Sequence, residues 1–147
     1  MKRFITLITF LIVVVTSLFA QKGLAVDRLF GNQYKKQKNA IEVLVKGKEL
    51  RPYKLTLFRS ITVKGNLDEL LSIERSVKQD AAASIDKETG MIGTHIYYGF
   101  YQFPRVNGAY RYLFFRNSAL KENSPNEATL VYMEGTATID ELKRMFK

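Results

Sequence analysis

The sequence predicts an α+β fold in which helices pack on one face of a mainly antiparallel sheet. Three observations support this prediction. Several β-rich segments are separated by short turns, capped amphipathic segments lie between and after them, and an Asn-Gly pair separates two long apolar runs. Short connections favour antiparallel neighbours, and helices bury the apolar side of such a sheet. A ferredoxin-like sandwich is one variant of this architecture.

Hydrophobic periodicity divides the chain after residue 22 into eight elements. Near-helical spacing predicts a short first helix, and strict alternation predicts a first strand whose buried face carries Ile41, Val43 and Val45. Pro52 lies at the start of the second strand, where a missing N–H does least harm. The predicted elements are a helix within 23–38, strands 40–46 and 53–63, helix 67–83, strands 92–103 and 109–117, strand 128–134 and helix 139–146.

Two of the helices begin with capping signals. Asn66 is followed three residues later by Glu69, and Thr138 is followed by Glu141 at the same spacing. An apolar stripe at i, i+3 and i+4 spacing follows the first of these signals, which makes 67–83 the strongest helix of the chain. Both helices are therefore expected to pack an apolar side against the sheet.

The Asn107-Gly108 pair predicts a hairpin with a two-residue type I′ turn. Counting outward from this turn gives the expected cross-strand pairs Val106–Ala109, Phe103–Tyr112, Tyr101–Phe114 and Phe100–Phe115. Side chains alternate along a strand, so one face of the hairpin should lie under the helices. This face would carry Ile96, Tyr98, Phe100, Leu113 and Phe115. A one-residue slip would change the pairs, and a bulge would exchange the faces.

The other face of the hairpin is expected to carry a ladder of aromatic side chains flanked by arginine. Its residues are Tyr97, Tyr101, Phe103, Tyr110, Tyr112 and Phe114, with Arg105 and Arg116 alongside. Flat aromatic rings beside arginine suit stacking on sugars or bases, or anchoring of a protein partner. We therefore interpret these eight residues as a ligand-binding surface. The alternative is that the aromatic pairs only stabilise the sheet beneath another segment.

Residues 1–20 have the three parts of a secretory signal peptide. Lys2 and Arg3 precede a run of 16 mainly apolar residues, and Ala20 offers a small side chain at the cleavage point. The apolar run is shorter than the roughly 20 residues that span a bilayer as a helix. We expect cleavage near Ala20, no stable membrane span afterwards, and one domain at 21–147 in the periplasm or outside the cell. A retained membrane anchor is the alternative.

Charge and composition restrict the classes of partner and of chemistry. Loss of Lys2 and Arg3 with the leader lowers the net charge from +9 to +7, which favours anionic partners. Export makes nucleic acid the least expected of these, and solubility alone is the alternative reason for the charge. The chain has no cysteine, so disulfides, thiol nucleophiles and cysteine-based metal sites are excluded.

Catalytic motifs are sparse, so we expect neither an enzyme nor a cofactor or metal. His95 is the only histidine, it lies on a predicted strand, and no serine occupies a nucleophile elbow. The sequence also lacks nucleotide-binding and calcium-loop motifs. Glu134, at the end of a strand, is the residue that a small carboxylate-dependent hydrolase would use.

Three segments together are similar to a known group of proteins. They are the early segment with Leu29, Phe30 and Tyr34, the capped central helix, and the ending Leu130–Gly135 with the helix that follows it. The chain resembles small exported Gram-negative bacterial proteins of families of unknown function. The resemblance implies a single exported α+β domain and brings no catalytic residue with it.

These observations predict a non-enzymatic binding or interaction module of the cell envelope. The expected partner is an envelope protein or an anionic glycan. The carboxylate hydrolase and a structural or assembly factor that acts through a sheet edge are the alternatives.

Overall fold

A computed structural model describes residues 24–30 and 39–145. Within these ranges, six strands form one sheet. They are β1 (Ala40–Lys46), β2 (Leu55–Lys64), β3 (Asp86–Ile92), β4 (His95–Val106), β5 (Ala109–Asn117) and β6 (Glu127–Gly135). The helices are α1 (Leu67–Ala81) and α2 (Ile139–Met145), with short 3-10 helices η1 (Ala25–Phe30), η2 (Lys48–Tyr53) and η3 (Ser118–Leu120). The predicted leader and the predicted helix beyond residue 30 lie outside the described residues.

The strands are ordered β1-β2-β6-β5-β4-β3, and every neighbouring pair is antiparallel. The predicted antiparallel sheet is thus confirmed, and with its few helices the fold is of the α+β or mostly-β class. The ferredoxin-like variant is not confirmed. In its split β-α-β units, one strand separates the two strands that a helix connects. Here α1 connects β2 to β3, and three strands lie between them.

Helical segments cover both faces of the sheet, so the expectation of helices on one face was wrong. Alternation along the strands sends side chains to two separate cores. One core lies under α1 and η1 and includes Leu70, Val77 and Leu113. The other lies under η2 and α2 and includes Leu50, Val131 and Leu142. We call these sides of the sheet the α1 face and the α2 face.

The capping predictions are confirmed. The Asn66 side chain accepts a hydrogen bond from the Glu69 N–H at 2.9 Å and starts α1. At α2, Thr138 Oγ1 accepts from the Glu141 N–H at 3.1 Å, and the Glu141 carboxylate accepts from the Thr138 N–H at 3.3 Å. This reciprocal pair fixes the start of α2 at the end of β6.

Strand β3 was not predicted from the sequence, which placed only a connection there. Its residues Asp-Lys-Glu-Thr-Gly-Met-Ile are mainly polar and poor strand formers. The strand exists because it pairs with β4 along its whole length at the edge of the sheet. Tertiary pairing overrides the weak local preference.

The hairpin of β4 and β5 has the predicted turn and a different register. Val106 faces Ala109 as expected, but Phe103 faces Arg111 and Tyr101 faces Leu113. An irregularity between Phe103 and Val106 adds one residue to β4. Pro104 lies in this interval, and proline has no N–H for a ladder hydrogen bond, so it is found at edges or bulges. Pro104 is the sequence signal that predicts the bulge.

Candidate functional site

The bulge divides the predicted aromatic ladder between the two faces of the sheet. Tyr101 and Phe103 are buried in the core of the α1 face. Tyr112 and Phe114 are buried in the core of the α2 face, and Tyr110 packs against them. The expectation of one continuous aromatic face was therefore wrong, since a bulge reverses the side-chain alternation beyond it. The opposite predicted face is divided in the same way, because Leu113 and Phe115 face α1 whereas Tyr98 and Phe100 face α2.

Four of the eight predicted binding residues remain at the surface. Tyr97 and Tyr110 are half-buried, and Arg105 and Arg116 are exposed. The structure brings two of these residues together. The guanidinium carbon of Arg105 lies 4.6 Å from the ring centroid of Tyr110, in cation–π geometry.

The Arg105–Tyr110 pair borders a groove of about 460 Å³ on the α2 face. Strands β3, β4 and β5 form its floor, and the segment that leads from β6 into α2 forms its other wall. The residues that line it include Asp86, Glu88, Gln102, Arg105, Tyr110 and Lys143. Sequence reasoning had found Arg105 and Tyr110 but not the others, because β3 and its position beside α2 were not predicted.

The bulge at Pro104 places Arg105 in the groove. Regular alternation from Phe103 would put Arg105 on the α1 face. The additional residue restores Val106 opposite Ala109 and brings Arg105 to the side of Tyr110. The same irregularity that breaks the aromatic ladder therefore creates the cationic corner of the groove.

Charges along the groove are unequally matched. Lys143 forms an ion pair with Glu88 and lies 3.7 Å from Asp140 Oδ1. Arg105 and Asp86 form no ion pair with any other described residue. Lys87, which also lines the groove, forms none either, so two cations and one carboxylate line the groove without a protein counter-charge among the described residues.

The wall of the groove is held by buried hydrogen bonds of Tyr112 and by an exposed ion pair of Glu141. The Tyr112 hydroxyl donates to the Ala137 carbonyl and lies 3.3 Å from the Gly135 carbonyl, where β6 leads into α2. Burial raises the pKa of Tyr112 to about 12, with smaller contributions from its neighbours. The Glu141 carboxylate lies 3.0 Å from Lys54 Nζ, and this contact lowers the pKa of Glu141. These contacts hold the segment between β6 and α2 against β5 and Lys54.

Glu134, the candidate for a hydrolase, lies on the α1 face and not in the groove. Its carboxylate accepts a hydrogen bond from the Tyr132 hydroxyl at 2.8 Å, and burial raises the pKa of Tyr132. Arg111 lies directly opposite Glu134 on β5. A cavity beside Tyr132 has about 10 Å³, which is near the minimum for one water molecule. Glu134 does not line this cavity, and its catalytic role stays a prediction.

His95 lies on a strand, as the sequence predicted; it is the first residue of β4 and contacts a buried carboxylate. Its Nδ1 lies 3.0 Å from Glu74 Oε2, and the side chain of Glu74 is only 3% exposed. In the described ranges, no group of three or more histidine, aspartate or glutamate side chains could hold a metal ion. None of the helices in those ranges has the length and apolarity to cross a membrane.

Comparison with known proteins gives a family and no relative of known activity. Residues 13–146 match a family model described as "Family of unknown function (DUF6108)". The comparisons with curated proteins and with solved structures gave no match. The expected resemblance to a family of unknown function is confirmed at that level.

Proposed function

We propose that this chain, which belongs to a family of unknown function (DUF6108), is a non-enzymatic module that binds an anionic glycan in the groove beside Arg105 and Tyr110. The observation that carries the proposal is the stacked Arg105–Tyr110 pair at the end of that groove. Its guanidinium is exposed and has no counter-ion among the described residues.

The size and lining of the groove fit a sugar chain better than an apolar molecule. Ligand sites commonly have roughly 300–1,000 Å³, and this groove lies within that range. Its lining is dominated by charged groups, an amide and hydroxyls rather than aliphatic carbons. Gln102 can both donate and accept hydrogen bonds, as sugar hydroxyls require of their partners.

The unmatched charges define the kind of sugar. Arginine binds a carboxylate through two parallel N–H donors, so Arg105 favours an acidic sugar at its end of the groove. Asp86 accepts hydrogen bonds and repels a second anionic group, so it favours neutral hydroxyls. A uronic acid joined to a neutral sugar satisfies both requirements.

The expected location supports this choice of ligand. The predicted leader would deliver the domain to the cell envelope or beyond, where acidic glycans are exposed and nucleic acids are scarce. An envelope protein that uses the same groove is the alternative partner, and failure of the acidic oligosaccharide to bind would favour it.

Isothermal titration calorimetry with an oligosaccharide that contains a uronic acid tests the proposal. The matched ligand is the same oligosaccharide with its carboxyl groups methyl-esterified. We expect binding of the acidic form and at least tenfold weaker binding of the ester. Arg105→Gln and Tyr110→Ala should each weaken binding, while Arg116→Gln, an exposed arginine at the other end of β5, should not. Equal binding of both ligands, or no binding of either, would overturn the proposal.

A further inference from the structure

One edge strand of the sheet is protected against pairing with a further strand, and the other is not. Edge strands expose free backbone groups, and proteins protect them with charges, glycine, proline or bulges. Strand β3 has such protection, because it carries Asp86, Lys87 and Glu88 and is irregular at Gly90. Strand β1 is regular along its length, has no proline and carries only two charges, Glu42 and Lys46.

The side chains of β1 are exposed where burial was expected. The sequence predicted a buried face with Ile41 and Val43, but they are 64% and 44% exposed, which corrects that prediction. Leu44, on the opposite side of the strand, is 53% exposed. These residues pair with Thr62, Ser60 and Arg59 of β2, so the strand is ordered although its apolar side chains meet solvent.

The backbone of β1 shows which groups are available. The Lys64 N–H donates to the Asn39 carbonyl at 2.8 Å, so residue 39 is hydrogen-bonded to β2. In antiparallel pairs the hydrogen-bonded positions alternate, so residues 41, 43 and 45 also face β2. The N–H and C=O groups of Ala40, Glu42, Leu44 and Lys46 therefore point outward, away from the sheet.

We propose that β1 pairs antiparallel with β1 of a second copy of this chain, centred on Val43, to give a continuous sheet across a two-fold axis. In this register Glu42 exchanges hydrogen bonds with Leu44 of the copy, and Ala40 does so with Lys46. All outward backbone groups of the strand are then satisfied. On the α2 face, Ile41 lies opposite Val45 of the copy and Val43 lies opposite itself, which forms a β-branched ladder.

Charge favours a second copy in this register. The Glu42 carboxylate is already paired with Arg59 Nε at 2.9 Å, so the edge presents little repulsion to its own copy. Neither charged residue of the strand faces a like charge. A register centred on Glu42 would place the two Glu42 side chains directly opposite one another, which is unfavourable.

Cysteine cross-linking tests the pairing, because the chain has no cysteine of its own. Val43 would face its copy in a non-hydrogen-bonded pair, with Cα atoms about 4.5 Å apart, and this separation permits a disulfide. The full chain carrying Val43→Cys should form a disulfide-linked dimer under mild oxidation. Ile41→Cys on the same strand and Ile92→Cys on the other edge should not do so, since their copies lie far away.

Light scattering and hydrogen exchange complete the test. For the unsubstituted protein we expect a mass twice that of one chain, and for Val43→Lys the mass of one chain. The alternative occupants give different results. Monomeric protein whose Glu42 and Leu44 amides are protected would mean that the chain's own remaining segments cover β1. Monomeric protein with unprotected amides would mean that the edge is free to pair with a different protein. Either result, or equal cross-linking of all three cysteine variants, would overturn the proposal.

Discussion

Glu74 Oε2 lies 3.0 Å from His95 Nδ1, and the other oxygen of the same carboxylate accepts the N–H of Ile96. The carboxylate is buried, whereas the His95 side chain is 41% exposed. Lys78 Nζ lies 3.8 Å from Glu74 Oε1 on the next turn of α1. Glu74 thus joins the middle of α1 to the first residues of β4.

Replacement of Glu74 by alanine should destabilise the protein by about 1–3 kcal/mol, because the buried N–H of Ile96 loses its acceptor. Urea unfolding followed by circular dichroism measures this change. Gln79→Ala, at an exposed position of the same helix, should change stability far less. Equal effects of the two substitutions would show that the contact with β4 contributes nothing.

Asp80 holds η1 to α1. Its carboxylate accepts hydrogen bonds from the N–H groups of Ala25 at 2.6 Å and Val26 at 2.9 Å. Burial raises the pKa of Asp80 although both hydrogen bonds act to lower it. Asp80→Ala should increase the hydrogen exchange of these two amides at least tenfold, measured by mass spectrometry. Asp68→Ala, which removes an exposed carboxylate from the same helix, should leave them protected, and unchanged exchange in Asp80→Ala would contradict the assignment.

The raised pKa values of two buried tyrosines predict that the protein loses stability at alkaline pH. Burial raises the pKa of Tyr101 and of Tyr112 to about 12. An unfolded chain has tyrosine pKa values near 10, so the unfolded state loses these protons first as the pH rises. Stability from the neutral phenols is therefore complete below about pH 10 and lost as the pH approaches about 12.

The urea concentration at the unfolding midpoint should decrease as the pH rises from about 10 to about 12. In Tyr112→Phe it should decrease less steeply over the same pH window. The phenylalanine variant should also be less stable by about 1 kcal/mol at neutral pH, because the Ala137 carbonyl loses its donor. A midpoint that stays constant through this range would contradict the burial of these hydroxyls.

Gly135 is required by the close approach of two chain segments. A Cβ atom there would lie 2.8 Å from Leu55 Cα and would also meet the Lys54 carbonyl. Because backbone atoms cannot move aside as a flexible side chain can, Gly135→Ala should cost about 2 kcal/mol or more. Gly93→Ala is the control, since that turn has no atom within 4 Å and a φ of +62°. Its cost should be about 1 kcal/mol, the strain of the left-handed conformation. A smaller loss for Gly135→Ala than for the control would refute the steric argument.

Local signals in the sequence were sufficient for much of the fold. The caps at Asn66 and Thr138 and the turn at Asn107 were readable because each depends on residues close in sequence. The order of the strands was not predicted, since it depends on long-range pairing. The polar strand β3 was missed for the same reason.

At the candidate site, one additional residue in β4 made the predicted face assignments wrong. Alternation was applied correctly to β5, but the bulge at Pro104 changed the alternation of β4. Four of the expected binding residues became core residues as a result. Arg105 and Tyr110 remained together because the extra residue between Phe103 and Val106 brings Arg105 to the side of Tyr110.

Solution NMR of the full chain, titrated with the uronic-acid oligosaccharide, tests the central claim most directly. We expect concentration-dependent shifts of the Arg105 side-chain N–H signal, the Tyr110 amide and the Gln102 side-chain amide. Signals of Arg116 and of β1 should stay in place. Shifts confined to residues outside the groove, or no shifts at a large excess of the acidic sugar, would contradict binding in the groove.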